Sequence, residues 1–217
     1  MNKNLTEIIY ILDRSGSMSG LEKDTIGGYN GFLEKQKKEE GDAVVTTVLF
    51  DDKYELVHDR ADIGKVSPLT DKEYFARGMT ALFDAVGRTL KQVENRHKNA
   101  LENEVPAKTV VIITTDGYEN ASREFKASAV KGMIENLRKE KGWEFLFLGA
   151  NIDAIEAAEN IGISKDYAAT YHADSVGTSL NFEAVNGAVS RIRSFRPLSS
   201  GWKKRVDEYA NSKKSDE

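Results

Sequence analysis

Apolar residues fall along this chain in two alternating patterns: short unbroken runs, and stretches where they recur every three or four positions. Residues 5–12, Leu-Thr-Glu-Ile-Ile-Tyr-Ile-Leu, are β-branched-rich and end in a glycine-bearing loop, which predicts a buried strand. Leu21, Ile26, Tyr29, Phe32 and Leu33 then keep helical spacing, predicting a helix to about Lys38. Residues 44–50 predict a second strand, Asp51-Asp52 a turn, and residues 54–58 a short hairpin partner. Leu82, Ala85, Val86, Leu90 and Val93 mark an amphipathic helix, with a polar surface connection at 98–104. Residues 109–115, Thr-Val-Val-Ile-Ile-Thr-Thr, are the most strand-like segment of the chain. Val130, Met133, Ile134 and Leu137 give a helix face, residues 143–148 a strand, and Ile152, Ile155, Ala158 and Ile161 another helix. Residues 167–171 read as a short edge strand, and Phe182, Val185, Val189 and Ile192 line a last long helix.

Strands alternating with helices imply parallel pairing through right-handed crossovers. The expected fold is α/β: a doubly wound, mostly parallel six-stranded sheet with one antiparallel edge strand and helices on both faces. After a break at 197–201, Trp202, Val206 and Tyr209 predict a short docked helix, with a frayed polar end at 211–217.

Composition narrows the function. The 217 residues suit one domain, or one domain with a tail, and 40% hydrophobic with 30% charged residues indicates a folded, soluble chain. A net charge of −4 argues against a nucleic-acid partner, and no apolar stretch is long enough for membrane insertion. The chain has no cysteine, which excludes disulfides, thiolate metal sites and thiol nucleophiles. No signal-peptide pattern opens it, so the expected localisation is cytoplasmic.

The candidate chemistry lies where predicted strands end. Asp13-Arg14-Ser15-Gly16-Ser17 follows the first strand, Thr80 precedes a helix, and Asp116 closes the strand at 109–115. Each of Asp13, Ser15, Ser17, Thr80 and Asp116 offers oxygen, the donor a hard divalent cation prefers. Three hydroxyls and two carboxylates make a site less negative than an all-carboxylate cage, so a bound ion would stay electrophilic toward an acidic group from outside. Alone, Asp-x-Ser-x-Ser is a weak pattern, since serine-rich loops commonly cap helices or form turns.

Order and setting strengthen it. The set resembles the von Willebrand factor A domain with its metal-ion-dependent adhesion site (MIDAS). The likeness runs from about Leu5 to Arg193 and extends to Thr80-Ala81-Leu82-Phe83-Asp84-Ala85 and Phe147-Leu148-Gly149-Ala150-Asn151. It implies a domain over residues 1–198, with 199–217 as a C-terminal helix and polar tail. It also implies that Ser15, Ser17 and Thr80 contact the metal, with Asp13 and Asp116 acting mostly through water. The implied cofactor is Mg2+, with Mn2+ as an alternative, and the implied partner is a protein offering Asp or Glu. Lacking cysteines and a signal, the chain fits the intracellular bacterial, archaeal or phage branch better than the adhesive one.

Other candidates are weaker. Gly27-Gly28-Tyr29-Asn30-Gly31 lacks the ending of a P-loop and reads as small-residue helix packing. Asp13 lacks the second carboxylate, two residues on, that aspartyl phosphotransferases need. Arg14, Glu119 and Asn120 are a possible partner-contact rim; for Arg14 a plain surface arginine is an equal alternative. Asp51-Asp52 and Glu119 either extend the metal site or are solvated turn residues. His58, His97 and His172 share no ligand spacing, Lys203-Lys204-Arg205 is a short basic run, and Trp202 reads as a packing anchor. No nucleophile–base pair stands out, so no catalytic residue is assigned. The leading expectation is a metal-dependent protein-binding module. The rivals are a Mg2+-dependent hydrolase or phosphotransferase, and a structural protein with a vestigial site.

Overall fold

The N-terminal apolar run becomes the central strand β1 (Asn2–Asp13), buried from Leu5 onward. In the computed structural model, which describes residues 1–150 and 152–214, β1 pairs in parallel with β2 (Asp42–Phe50) and β4 (Pro106–Thr115). β5 (Glu144–Ala150) and β6 (Ala168–Tyr171) continue in parallel, while β3 (Tyr54–Asp62) runs antiparallel at the other edge. The order of the six strands is β3-β2-β1-β4-β5-β6. This is the expected doubly wound sheet with one antiparallel edge.

Alternation along β1 builds two cores. Ile8, Tyr10 and Leu12 face α1 (Glu22–Gln36), α5 (Ser175–Arg193) and α6 (Lys204–Lys214). Ile9 and Ile11 face α2 (Leu82–Asn99), α3 (Ala127–Lys141) and α4 (Ala154–Asn160). The chain winds one way from β1 to β2 and the other way to β4. The crevice outside the carboxyl ends of β1 and β4 is therefore the switch point, where such sheets bind ligands. Among the described residues, no helix is long and apolar enough to cross a membrane.

Several elements differ from the sequence expectation. β3 runs past His58 because the ladder is irregular there: Arg60 takes a left-handed φ of 49° and its N–H donates to Thr46 Oγ1. The connection at 98–104 is partly helical, since α2 continues to Asn99 and a 3-10 turn follows at Glu102–Glu104. α4 is only a turn or two long, with Ala154 and Ala158 inward, so Ile155 is exposed rather than core-facing. The helix expected around Trp202 is longer than expected, carrying the polar segment to Lys214; 215–217 and Asn151 lie outside the described residues.

α6 docks through Val206 and Ala210, with Trp202 packed against the same core. The Trp202 indole donates to the Asp166 carbonyl, Lys203 Nζ donates to the carbonyls of Lys165 and Ala168, and Tyr209 donates to Asp174. In the glycine run on α1, Gly28 is the packing position, while Gly27 and Gly31 face open space. A Cβ at Gly28 would lie 2.1 Å from the Phe182 ring, which stacks on Tyr10 at 6.2 Å. A Cβ at Gly27 would meet nothing within 4 Å.

The neighbouring glycines should therefore respond oppositely in urea unfolding. Gly28→Ala overpacks the α1–α5 contact and should destabilise by about 1–3 kcal/mol. Gly27→Ala gains helix propensity and should stabilise by about 0.5–1 kcal/mol. Equal effects would mean that α1 and α5 do not meet at Gly28.

Candidate metal centre

The loop after β1 turns over the sheet end under local hydrogen bonds. Asp13 Oδ1 accepts from Ser15 N at 2.6 Å, and Oδ2 accepts from the Thr115 hydroxyl at 2.5 Å. The buried Tyr74 hydroxyl donates to the Asp13 carbonyl at 2.6 Å. Ser15 and Ser17 hydroxyls lie 2.9 Å apart. Gly16 N donates to the Gly78 carbonyl at 3.1 Å, and Gly78 takes φ +69° to bring that carbonyl round.

Thr80 is set by the loop after β4. Its N–H donates to Asn120 Oδ1, and its carbonyl accepts from Asn120 N and Ala121 N. Glu119 accepts from Phe83 N at the start of α2 and from Ala121 N and Ser122 N of its own loop. Asp84 accepts in return from the N–H groups of Arg123, Glu124 and Phe125. Two carboxylates thus stitch the α2 start to the loop after Asp116. Charged acceptors facing orphan N–H groups are what a helix N-terminus favours.

Gly117 shows how closely the donors converge. A Cβ there would lie 2.9 Å from Ser17 Oγ and 3.0 Å from Thr80 Oγ1. Beside it, both carboxylate oxygens of Asp116 are buried with no hydrogen-bond partner. Unpaired buried carboxylate oxygens are costly. Burial pushes the Asp13 carboxyl up from 3.8 to about 6, against the lowering effect of Thr115 and Ser15, with the Asp116 charge adding to the rise. Burial also raises Asp116; the Ser17 hydroxyl is near enough to oppose the rise but outside hydrogen-bond geometry, so the oxygens stay unpartnered. Among the described residues, neither aspartate pairs with Lys or Arg, and no group of three or more His, Asp and Glu side chains is placed to hold a metal, here or elsewhere, so any ion at the cradle would depend on the hydroxyls beside two carboxylates. Converging hydroxyls and uncompensated carboxylates fit a hard divalent cation.

Arg14 corrects the sequence expectation: it is neither a surface arginine nor an accessible rim residue. Its side chain is buried beneath the loop, where Nε donates to Asp51 at 3.0 Å, Nη1 donates to the Glu73 carbonyl at 2.9 Å and Nη2 pairs with Glu55 at 2.7 Å. Arg77 joins the same Asp51 oxygen at 2.7 Å, and its N–H donates to the Arg14 carbonyl. Burial would raise the Asp51 carboxyl, but bonds from Arg77, Lys53 N and Arg14 outweigh it and hold it low. Asp51 is therefore a strut between the two hydroxyl-bearing loops rather than an added ligand. Of the expected rim, Asn120 is exposed, and Glu119 is half-buried with both oxygens bonded within the loop and to α2. Tyr74 was missed from sequence, its only signal being the aromatic pair Tyr74-Phe75 in an otherwise polar stretch. The histidines stay apart: His97 pairs with Glu7 and His172 with Asp174.

Solved structures give the fold its relatives. Proximal thread matrix protein 1 from the mussel byssus, with a zinc-occupied MIDAS motif, matches at 21% identity and TM-score 0.59 over 87% of this chain and 46% of that one. A von Willebrand factor type A protein from Catenulispora acidiphila matches at 17% and 0.53, over 87% and 43%. The fold is that of a von Willebrand factor A domain. Manganese-loaded TRAP protein from Plasmodium vivax matches at 15% and 0.56, over 84% and 74%. The chain spans about half the length of the first of these. No protein-family model matches the sequence, and no curated protein matches it.

Two stability measurements follow. Asp51→Asn leaves the buried Arg14 guanidinium short of charge and should cost about 3–5 kcal/mol, whereas Arg77→Ala, at a partly exposed partner, should cost about 0–1 kcal/mol. For Asp13 the folded value of about 6 lies above the unfolded 3.8. Its contribution to the metal-free fold is fully present below the lower value and lost as pH rises through the higher, a penalty of about 3 kcal/mol at neutrality. In chelator at pH 7, Asp13→Asn should therefore melt above the native chain, with the gap closing toward pH 4. A variant melting lower at pH 7 would contradict this origin of the strain.

Proposed function

We propose that this chain is a metal-dependent protein-binding module. Ser15, Ser17 and Thr80 would hold a divalent cation, with Asp13 and Asp116 supplying charge, directly or through water. Mg2+ is the expected ion and Mn2+ its substitute. When bound, the ion supplies an electrophilic position for a carboxylate from a partner's Asp or Glu. The supporting observation is the pair of unpartnered Asp116 oxygens beside the converging Ser17 and Thr80 hydroxyls. The zinc-occupied and manganese-loaded relatives of the same fold agree with such a use.

The chain's own residues would keep the cradle ready. Thr115 and Ser15 N orient the Asp13 carboxylate, and Asn120 fixes the Thr80 backbone. Glu119 and Asp84 hold the Asp116 loop against α2. We read the module as a binder rather than an enzyme, the cradle's hydroxyls and carboxylates being taken up as ligands for the ion.

Calorimetry with Mg2+ and Mn2+ tests this reading. The native chain should bind, and Ser15→Ala, Thr80→Ala and Asp116→Ala should each weaken binding by more than about tenfold. No heat from the native chain at millimolar metal would sink the metal site. Mg2+-dependent turnover abolished by Ser15→Ala would replace the binding reading with a hydrolytic one.

A further inference from the structure

Large apolar side chains stand exposed at the cradle end of the sheet. Eight large apolar side chains are exposed among the described residues: Met1, Phe75, Met79, Leu101, Tyr118, Ile155, Val176 and Phe195. Five of them, Phe75, Met79, Tyr118, Ile155 and Val176, belong to loops or first helical turns at the metal end of the sheet. Phe75 lies beside the guanidinium of Arg77, its ring centroid 4.8 Å away. Met79 precedes Thr80, Tyr118 lies two residues past Asp116, and Ile155 and Val176 open α4 and α5. Scattered single apolar residues need no explanation, but five of the eight share the end of the sheet where such folds bind ligands.

Within this collar lies a groove of about 240 Å3 between the loop after β4 and α4. Leu82, Phe83, Ile152 and Ala157 give it apolar walls, and Tyr118 forms one side, its hydroxyl held by Asp153 N at 3.1 Å. Glu156 and Asn160 stand at its polar end. Gly117 lines the groove and also touches the cradle, being the residue whose Cβ would crowd Ser17 and Thr80. The groove and the hydroxyl cluster are thus contiguous across one residue that has no side chain. Drug-sized pockets run from about 300 Å3 upward, so this groove suits a single large side chain.

We propose that the groove is the specificity pocket of the module: it takes a large aliphatic or aromatic side chain from the same partner segment that presents its Asp or Glu to the metal. The inference rests on the metal-binding reading above. The acid anchors and the neighbouring apolar residue selects, because a metal and a carboxylate alone do not distinguish one acidic segment from another. Continuity through Gly117 sets the spacing, so the two recognised residues lie close together in the partner's sequence.

Selection from a random-peptide phage library on the native chain, in Mn2+ and then in chelator, tests the proposal. The expected peptides carry an acidic residue with a large apolar residue within a few positions and are lost in chelator. Ala157→Asp, which puts a charge into the groove, should weaken a selected peptide by about tenfold or more, the worth of one buried large side chain. Tyr118→Ala, which removes a wall, should do the same, and both variants should keep native metal affinity by calorimetry, which also reports that they fold. Metal-dependent acidic peptides with no apolar preference, or with affinity untouched by both variants, would overturn the pocket and leave the metal reading intact. Absence of any metal-dependent peptide would overturn both.

Discussion

Two carboxylates kept out of water at one end of a sheet are the constraint on which the rest of this structure depends. Asp13 ends β1 and Asp116 follows β4, so the switch in winding direction puts them on either side of one crevice. Among the described residues, no Lys or Arg pairs with either of them. The nearest in sequence, Arg14, turns away and gives its charge to Asp51 and Glu55. Hydroxyls from Ser15, Ser17, Thr80 and Thr115 are what remain, and hydroxyls cannot cancel charge. A centre built this way keeps buried charge uncompensated, and a cation placed among the hydroxyls would relieve it.

Precision at that centre comes from backbone groups. Asn120 reads the Thr80 N–H, Glu119 the Phe83 N–H, and Asp84 three successive N–H groups of the facing loop. Each bond joins segments about forty residues apart, so the α2 start and the Asp116 loop move as one piece. Arg14, Asp51 and Arg77 do the same for the other side of the cradle. Loops normally carry function because a rigid scaffold positions them, and here the positioning is extended into the loops themselves.

The strands and the five oxygen donors were legible in the sequence because both are local signals. Unbroken β-branched runs can hardly be anything but buried strands; Asp13, Ser15, Ser17 and Asp116 follow the ends of two of them, while Thr80 stands just before a helix. What escaped was non-local. Nothing near Arg14 announces that Asp51, Glu55 and the Glu73 carbonyl will surround it. The length of β3 was hidden because a half-exposed edge strand tolerates His58-Asp59-Arg60, a sequence that reads as a turn. Ile155 was misplaced because a seven-residue helix can bury only one narrow face, and Ala154 and Ala158 already occupy it. Tyr74 shows no periodicity at all, since it is buried by a loop rather than by a regular element.

The docking of α6 has a meaning beyond packing. β6 is the outermost strand on its side, and an uncovered sheet edge is a template for another chain. Lys203 occupies the carbonyl at the start of that strand, Trp202 and Lys203 hold the turn before it, and Val206 and Ala210 are buried in the core on that side. The helix works as a stopper on the open end of the sheet. With one margin of the sheet covered near Ala168 by Lys203 and α6 and the other made irregular at Arg60, neither edge offers a clean template for a strand of another chain.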